Sequence, residues 1–345
     1  MSNTSKSMAG GIIRPALAAA MVMIVLLYIP TPYAAYEPGI VEPVTPMVKV
    51  VAGDPPGKGV FMLTTVKMTY ANYWAVLRSV WDDDLELLKK KDLLGDKSQS
   101  EYAARLLYIM QNSQSNAIEA AYKEAKIPYE VAAKELVVTD VPPHQEGFRP
   151  GDSIKAVQGK KASTARSLAV LLREQAPGDE LDWTIIRQGK ELTLKIPLKA
   201  LPQDETGKDL PQALGGIVLA EIRDLAPRQD QFKVSIAAGD IGGPSAGLMF
   251  ALQTFDALTE GDLTNGLRIA GTGTISSDGK VGAIGGVAFK VTAAHRSGAE
   301  LFLVPPGNAQ EARAKAKALG TPMRIVPIAT LHDAVVMLQN GSLTG

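Results

Sequence analysis

The stretch 239-GDIGGPSAGLMFALQ-253 places a serine between glycines, directly after a proline and ahead of an apolar run. Gly242 and Gly243 let the backbone turn sharply, Pro244 fits the first helical position, and Ser245 then falls in the first turn of a helix. Unpaired backbone N–H groups and the helix dipole gather positive potential there. Acyl transfer needs that potential where a tetrahedral oxyanion forms. A plain helix start uses the same residues, so this stretch alone leaves both readings open. Around it, LRIAGTGTIS and ELFLVPPG read as strands. PSAGLMFALQTFDAL, GVAFKVTAAHRSG, AQEARAKAKAL and LHDAVVMLQ read as helices, which makes residues 205–345 an α/β or α+β domain.

A nucleophilic serine needs a base. Gly243-Pro244-Ser245-Ala246-Gly247 fits G-x-S-x-G, the nucleophile elbow of Ser-His hydrolases, but that elbow needs a strand running straight into the serine. Gly239-Asp240-Ile241-Gly242-Gly243 is too glycine-rich to be one. The chain has three histidines; His295 sits on a polar-faced helix and His332 near the C-terminus, both read as surface residues. Lys290 instead falls on an otherwise apolar helical stretch with Ala288, Phe289, Val291, Ala293 and Ala294. Burial there disfavours the ammonium and would bring the amine towards neutrality, at a cost on the order of 4 kcal/mol. A lysine whose head snorkels to solvent is the competing reading.

The bulk composition fits a folded protein. Of 345 residues 46% are hydrophobic and 21% charged, with Lys+Arg and Asp+Glu equal at 36 each. No basic stripe points to nucleic acid. The absence of cysteine removes disulfides, thiolate catalysis and cysteine-ligated metals. No metal site is expected, and no cofactor.

Residues 12–30, IIRPALAAAMVMIVLLYIP, are apolar apart from Arg14 and span about 28 Å as a helix, enough for a thin hydrocarbon core. Lys6 and Arg14 precede or open this run, and no further Lys or Arg follows until Lys49. The positive-inside rule then leaves the N-terminus in the cytoplasm and exports the rest. A cleaved signal peptide is the rival, but Pro32 and Tyr33 occupy the positions that cleavage needs small. The five prolines of 30-PTPYAAYEPGIVEPVTP-46 predict a semi-extended stalk.

Two helices are expected at 70–91 and 101–125, after a strand in 60-VFMLTTVKM-68. Met62, Met68 and Met110 read as core packing. From 135 the period changes to strands: ELVVTDV, then GFRPGDSIKAVQGKKA, a helix at about 163–175, and a hairpin closed at Gln188-Gly189.

The segment 147-GFRPGDSIKAVQGKKA-162 resembles a PDZ domain, covering about 128–200, with the strand near 60–68 completing its sheet. That resemblance implies a small β-barrel that takes an extended peptide beside the 163–175 helix. The glycine-rich carboxylate-binding loop of many PDZ domains is absent before ELVVTDV. Further on, G-G-P-S-A-G, then A-G-T-G-T-I-S, then G-K-V-G-A-I-G-G-x-x-x-K-x-x-A-A-H-R resembles the proteolytic domain of Lon-type peptidases over about 215–330. The resemblance implies a serine–lysine dyad of Ser245 and Lys290, with Thr272 orienting the lysine. ATP-dependent Lon proteins carry an acidic residue where this chain has Gly242, and the displaced Asp240 is given no catalytic role. Gly243 and the Ser245 N–H are the expected oxyanion donors.

As a whole the chain resembles membrane-anchored, PDZ-containing Lon-like serine peptidases of bacteria. The expected architecture is α+β multidomain, with the helical pair inserted in the PDZ-like β-barrel. It comprises a cytoplasmic tail (1–11), a transmembrane anchor (12–30), a proline-rich stalk (31–47), and a strand with a helical pair associated with the PDZ segment (48–127). The PDZ-like domain (128–200) and the Lon-type domain (205–345) complete it. No G-x-x-x-x-G-K-[ST] occurs in the sequence, so cleavage is expected to be independent of ATP. The expected partners are a peptide or protein substrate and the bacterial cytoplasmic membrane, and the Lon-type resemblance alone suggests a homo-oligomer. A tethered peptide-binding scaffold with a silent peptidase domain and a Ser-His hydrolase are the alternatives.

Overall fold

The computed structural model describes residues 5–95, 98–143, 145, 147–239 and 241–341, with the side chains of its first helix from Arg14 onward. The chain divides into two compact units: Met1–Gly39 with Val66–Gly95, and Ile40–Thr65 with Asp96–Gly345.

The first unit holds the helix Ser5–Tyr28, which carries Pro15 inside it. Among the described residues no helix is long and apolar enough to cross a membrane. The described part of this one leaves Leu17, Met21, Val22, Met23 and Ile24 exposed. The expected stalk is instead a strand, Pro30–Pro43. It pairs antiparallel with Glu86–Lys89 from Tyr33↔Lys89 to Tyr36↔Glu86. Proline's fixed φ suits an extended chain, and this paired run lies between Pro32 and Pro38, where every residue keeps its N–H. The expected 70–91 helix is broken. Only Tyr73–Arg78 and Lys90–Leu94 are helical, separated by the strand Glu86–Lys89. Asp82 accepts from Arg78 and its Oδ1 accepts from the Asp84 N–H at 3.0 Å, the local side-chain bonding by which aspartates favour turns.

The second unit contains a parallel sheet. The start of Val60–Asn72 pairs with Arg268–Gly271, which pairs with Leu301–Val304, which pairs with Arg324–Pro327. Side chains alternate between two cores, as the period of two requires. Phe61, Leu63, Ile269, Leu301 and Leu303 meet Leu248, Met249 and Leu252 of the helix Gly247–Leu258. Met62, Ala270, Phe302 and Val304 meet Val287 and Val291 of the helix Val287–Arg296 and Ala312 of Ala309–Ala318.

Two parts expected near the PDZ segment belong to this core. The strand at 60–68 pairs with Arg268–Gly271 and does not complete the PDZ sheet. The helix Gln99–Glu124, started by a Ser98–Glu101 capping box, buries Met110, Ala117, Ala120 and Ala121 against Leu248 and Phe250. The helical pair is therefore not inserted in the PDZ barrel.

A second sheet runs Val218–Pro227, Tyr129–Asp140, Ser153–Val157, Glu180–Arg187, Lys190–Pro197, all antiparallel. Gln188 and Gly189, both at positive φ, close its hairpin. Leu136, Ile154, Leu168, Leu172, Trp183 and Ile185 fill its core under the helix Ala165–Arg173. Its outer strand Val218–Pro227 comes from the segment expected in the C-terminal domain. The glycine turn sought before ELVVTDV precedes this strand instead: Gly215 and Gly216, both at positive φ, sit between the buried Leu214 and Ile217.

Candidate active site

Pro244–Ala246 forms a single 3-10 turn ahead of the helix Gly247–Leu258. Its N-cap, Gly243, has φ 88°, which a side chain rarely adopts. Gly247 is needed for another reason: a Cβ there would lie 2.8 Å from both Ile275 Cγ2 and Ser113 Oγ. No strand runs into Ser245. The strand before it, Val234–Ile236, pairs with Val48–Val50 and ends well short of the turn, so the geometry is not a nucleophile elbow.

Lys290 lies on Val287–Arg296 with 2% of its surface exposed, and its Nζ stands 2.6 Å from Ser245 Oγ and 2.9 Å from Thr272 Oγ1. Burial lowers the amine from 10.5 to about 7 by desolvation. Thr272, fully buried after the strand Arg268–Gly271, donates its own hydroxyl proton to the Ser245 carbonyl at 3.0 Å. Its oxygen is therefore left to accept from Lys290. A neutral amine that gives one N–H to Thr272 can turn its lone pair to the Ser245 hydroxyl. The threonine thus sets both the position and the polarity of the amine. Those three residues, far apart in the sequence, are brought together.

Gly243 differs from its expected role. Its N–H donates to the Leu106 carbonyl at 3.0 Å and is not free to bind an oxyanion. The Ser245 N–H lies in the first turn, the place where backbone donors lack a partner from the helix itself. Asp240 lies outside the described residues. His332 is exposed and paired with Glu124 at 2.8 Å, and His295 is half-buried on the lysine helix.

Sequence reading missed the helix Gln99–Glu124 as a wall of the site. Ser113 Oγ donates to the Pro244 carbonyl and Asn116 Nδ2 to the Ile275 carbonyl, both at 3.1 Å. The same helix meets the PDZ sheet: Arg223 of the outer strand bonds Glu119 and Asn116, and Arg105 pairs with Asp140 at 3.3 Å. The signal was present in Gln111–Asn116, a polar run within a helix whose flanks are apolar.

A family model of the Lon protease (S16) C-terminal proteolytic domain matches residues 222–339, and a PDZ domain model matches residues 113–198. The chain is 31% identical over 110 residues to the Lon protease of Trichlorobacter lovleyi, covering 31% of this chain and 13% of that protein. It is 46% identical over 63 residues to the Lon protease of Clostridioides difficile, 18% of this chain and 8% of that one. Over 80 residues it is 34% identical to a probable periplasmic serine endoprotease DegP-like of Bartonella henselae, 22% of this chain and 16% of that protein. The chain spans between 8% and 16% of the length of these relatives. The site and these matches together identify a PDZ domain joined to the proteolytic domain of a Lon-type serine peptidase.

Proposed function

We propose that the chain is an ATP-independent endopeptidase, anchored in the bacterial cytoplasmic membrane by residues 12–30, that cleaves peptides or proteins outside it with a Ser245–Lys290 dyad. The observation that carries this reading is the buried amine 2.6 Å from the serine hydroxyl, lowered by burial to about 7. Neutral Lys290 takes the Ser245 proton as the oxygen attacks the scissile carbonyl. The Ser245 N–H and the positive end of the helix steady the oxyanion. Lys290 then returns its proton to the leaving amine, and water, deprotonated by the same amine, clears the acyl-enzyme.

The outer strand Val218–Pro227 is an edge of its sheet beside the helix Ala165–Arg173, whose Ala165 N–H bonds Glu221 at 2.9 Å, while the strand's Arg223 carbonyl is taken by Ser115. An extended substrate segment adds there as a further strand and is held close to the peptidase. The exposed apolar residues from Leu17 to Ile29 favour the anchor, since lipid, unlike water, rewards that surface.

The test is cleavage of an unfolded protein by the full chain in phospholipid vesicles. Ser245→Ala and Lys290→Ala each lose turnover while binding of the unfolded protein persists. Wild-type turnover by Ser245→Ala overturns the peptidase reading, and wild-type turnover by Lys290→Ala at about pH 7 overturns the dyad.

A further inference from the structure

We infer that the first unit carries an interfacial collar, an aromatic patch around Trp74 and Trp81 that beds into the phospholipid headgroups beside the anchor. This rests on the membrane reading above and adds a second contact to it. The short helix Tyr73–Arg78 and the turn after it place Tyr73, Trp74, Leu77, Val80 and Trp81 at the spacing of one helical face. Such a stripe normally packs inward. Here the helix buries no residue, and the stripe is open: Val80 is 81% exposed and Trp81 59%. The two indoles meet edge-on with centroids 6.3 Å apart, so they form one patch. Of three tryptophans in the chain, only Trp183 is buried in a core.

Two observations select lipid as the occupant. First, the patch is continuous with the apolar helix: Asn72, which caps Tyr73–Arg78, also donates to the Leu27 carbonyl at 2.8 Å. The indoles therefore stand at the end of that helix. Indole and phenol rings, apolar in body and polar at one edge, favour the headgroup level of a bilayer. Second, a run of lysines, Lys89–Lys91, belongs to the same unit. Lys89 and Lys91 are exposed, and Lys90 Nζ stands 4.8 Å above the Tyr70 ring. Of the acids between the indoles and these lysines, Asp82 pairs with Arg78, which also holds Glu37, while Asp83 and Glu86 are exposed. Ammonium groups there meet lipid phosphates.

The experiment uses the full chain in vesicles of phosphatidylethanolamine and phosphatidylglycerol, with and without lipids bearing a nitroxide quencher at the headgroup or at mid-bilayer. The difference in tryptophan emission between wild type and Trp74→Phe/Trp81→Phe reports the patch, since Trp183 contributes equally to both. The collar predicts a blue-shifted emission, quenched more by the headgroup nitroxide than by the deep one and shielded from aqueous iodide. Quenching by iodide alone, or shielding from both iodide and lipid by a second copy of the chain, overturns it. A cysteine placed by Val22→Cys, unique in this chain, reads the anchor separately. If it is protected from a water-soluble maleimide while the indoles face water, the collar alone fails. If it is labelled, the anchor reading fails, and the collar survives only if lipid quenching of the indoles remains. Trp74→Ser/Trp81→Ser should keep full turnover of a short soluble peptide.

Discussion

Two cations in this molecule, each held against a buried polar side chain, have opposite fates. In the PDZ domain, Arg187 meets Asp152, whose side chain is only 1% exposed, through two hydrogen bonds of 2.7 Å. The carboxylate beside it raises the Arg187 guanidinium further above its usual value, and the pair pins the turn before Ser153 through the Arg149 N–H. In the peptidase domain, Lys290 is buried with two hydroxyls as its polar contacts, and desolvation alone lowers its amine. A buried counter-charge makes a fixed strut. Burial without one brings the amine to about 7, where about half of it is unprotonated in neutral solvent, as the proposed dyad needs. The proposed chemistry follows from the lack of a counter-charge beside Lys290 among the described residues as much as from the two hydroxyls that are there.

The sharpest way to break this comparison is to delete each cation. Lys290→Met should cut turnover by about 10⁴-fold, the upper range for a lost general base. It should also stabilise the fold by about 4 kcal/mol near pH 7, because the unfolded chain no longer gains a proton that the folded one refuses. The sign with pH is fixed. Below about 7 both states hold the proton and the wild type pays the full desolvation cost; between about 7 and 10.5 its stability climbs; above 10.5 the gap to Lys290→Met closes. Urea unfolding of both proteins across that range measures it. A wild type whose stability is flat over this window would mean that the amine is hydrated.

Arg187→Ala should do the reverse. It strands Asp152 and costs about 3 kcal/mol, read as an earlier unfolding of the PDZ domain. Turnover of a short peptide that bypasses the PDZ edge should stay unchanged. Loss of that turnover would show that the strut reaches the catalytic turn through Arg105 and the helix Gln99–Glu124.

The pH profile sharpens the same contrast. With the dyad, kcat/KM for a short peptide falls as pH drops through about 7, where Lys290 gains a proton and ceases to be a base. A profile that stayed flat down to the carboxylate range would assign the proton to another group.

Legibility differed by region for physical reasons. The peptidase helices and strands after 240 were readable because Gly, Pro and apolar periodicity punctuate short elements. Lys290 stood out as one charge on an apolar face, and Thr272 came only through the family motif. The assembly of the domain was not readable. The parallel partner of Arg268–Gly271 is the strand beginning at Val60, some 200 residues earlier, and parallel pairing leaves no local turn signal. The same holds for Gln99–Glu124, whose apolar face says that it packs but not against what. Tyr70–Lys91 misled because its apolar spacing is helical while its aspartates and the pairing of Glu86–Lys89 break the helix. Gly243 could not have been resolved from sequence, since its N–H is taken by a carbonyl more than 130 residues away.

The smallest effects belong to Thr272, because it acts on the amine and not on the substrate. Its hydroxyl proton is committed to the Ser245 carbonyl, so its oxygen can only accept. Thr272→Val keeps the shape but removes both bonds, leaving Lys290 free to rotate from the 2.6 Å approach to Ser245. Misplacement on the scale of an ångström costs about 10²-fold, expected in kcat more than in KM. Thr272→Ser restores the hydroxyl without the methyl and should recover most of the rate, with the acid limb of the pH profile back near 7. If serine fails to rescue while the fold is intact, the methyl packing and not the hydrogen bond is what holds the amine. The contrast with Arg187 would then narrow, since both cations would be held by fixed neighbours and only the counter-charge would separate strut from base.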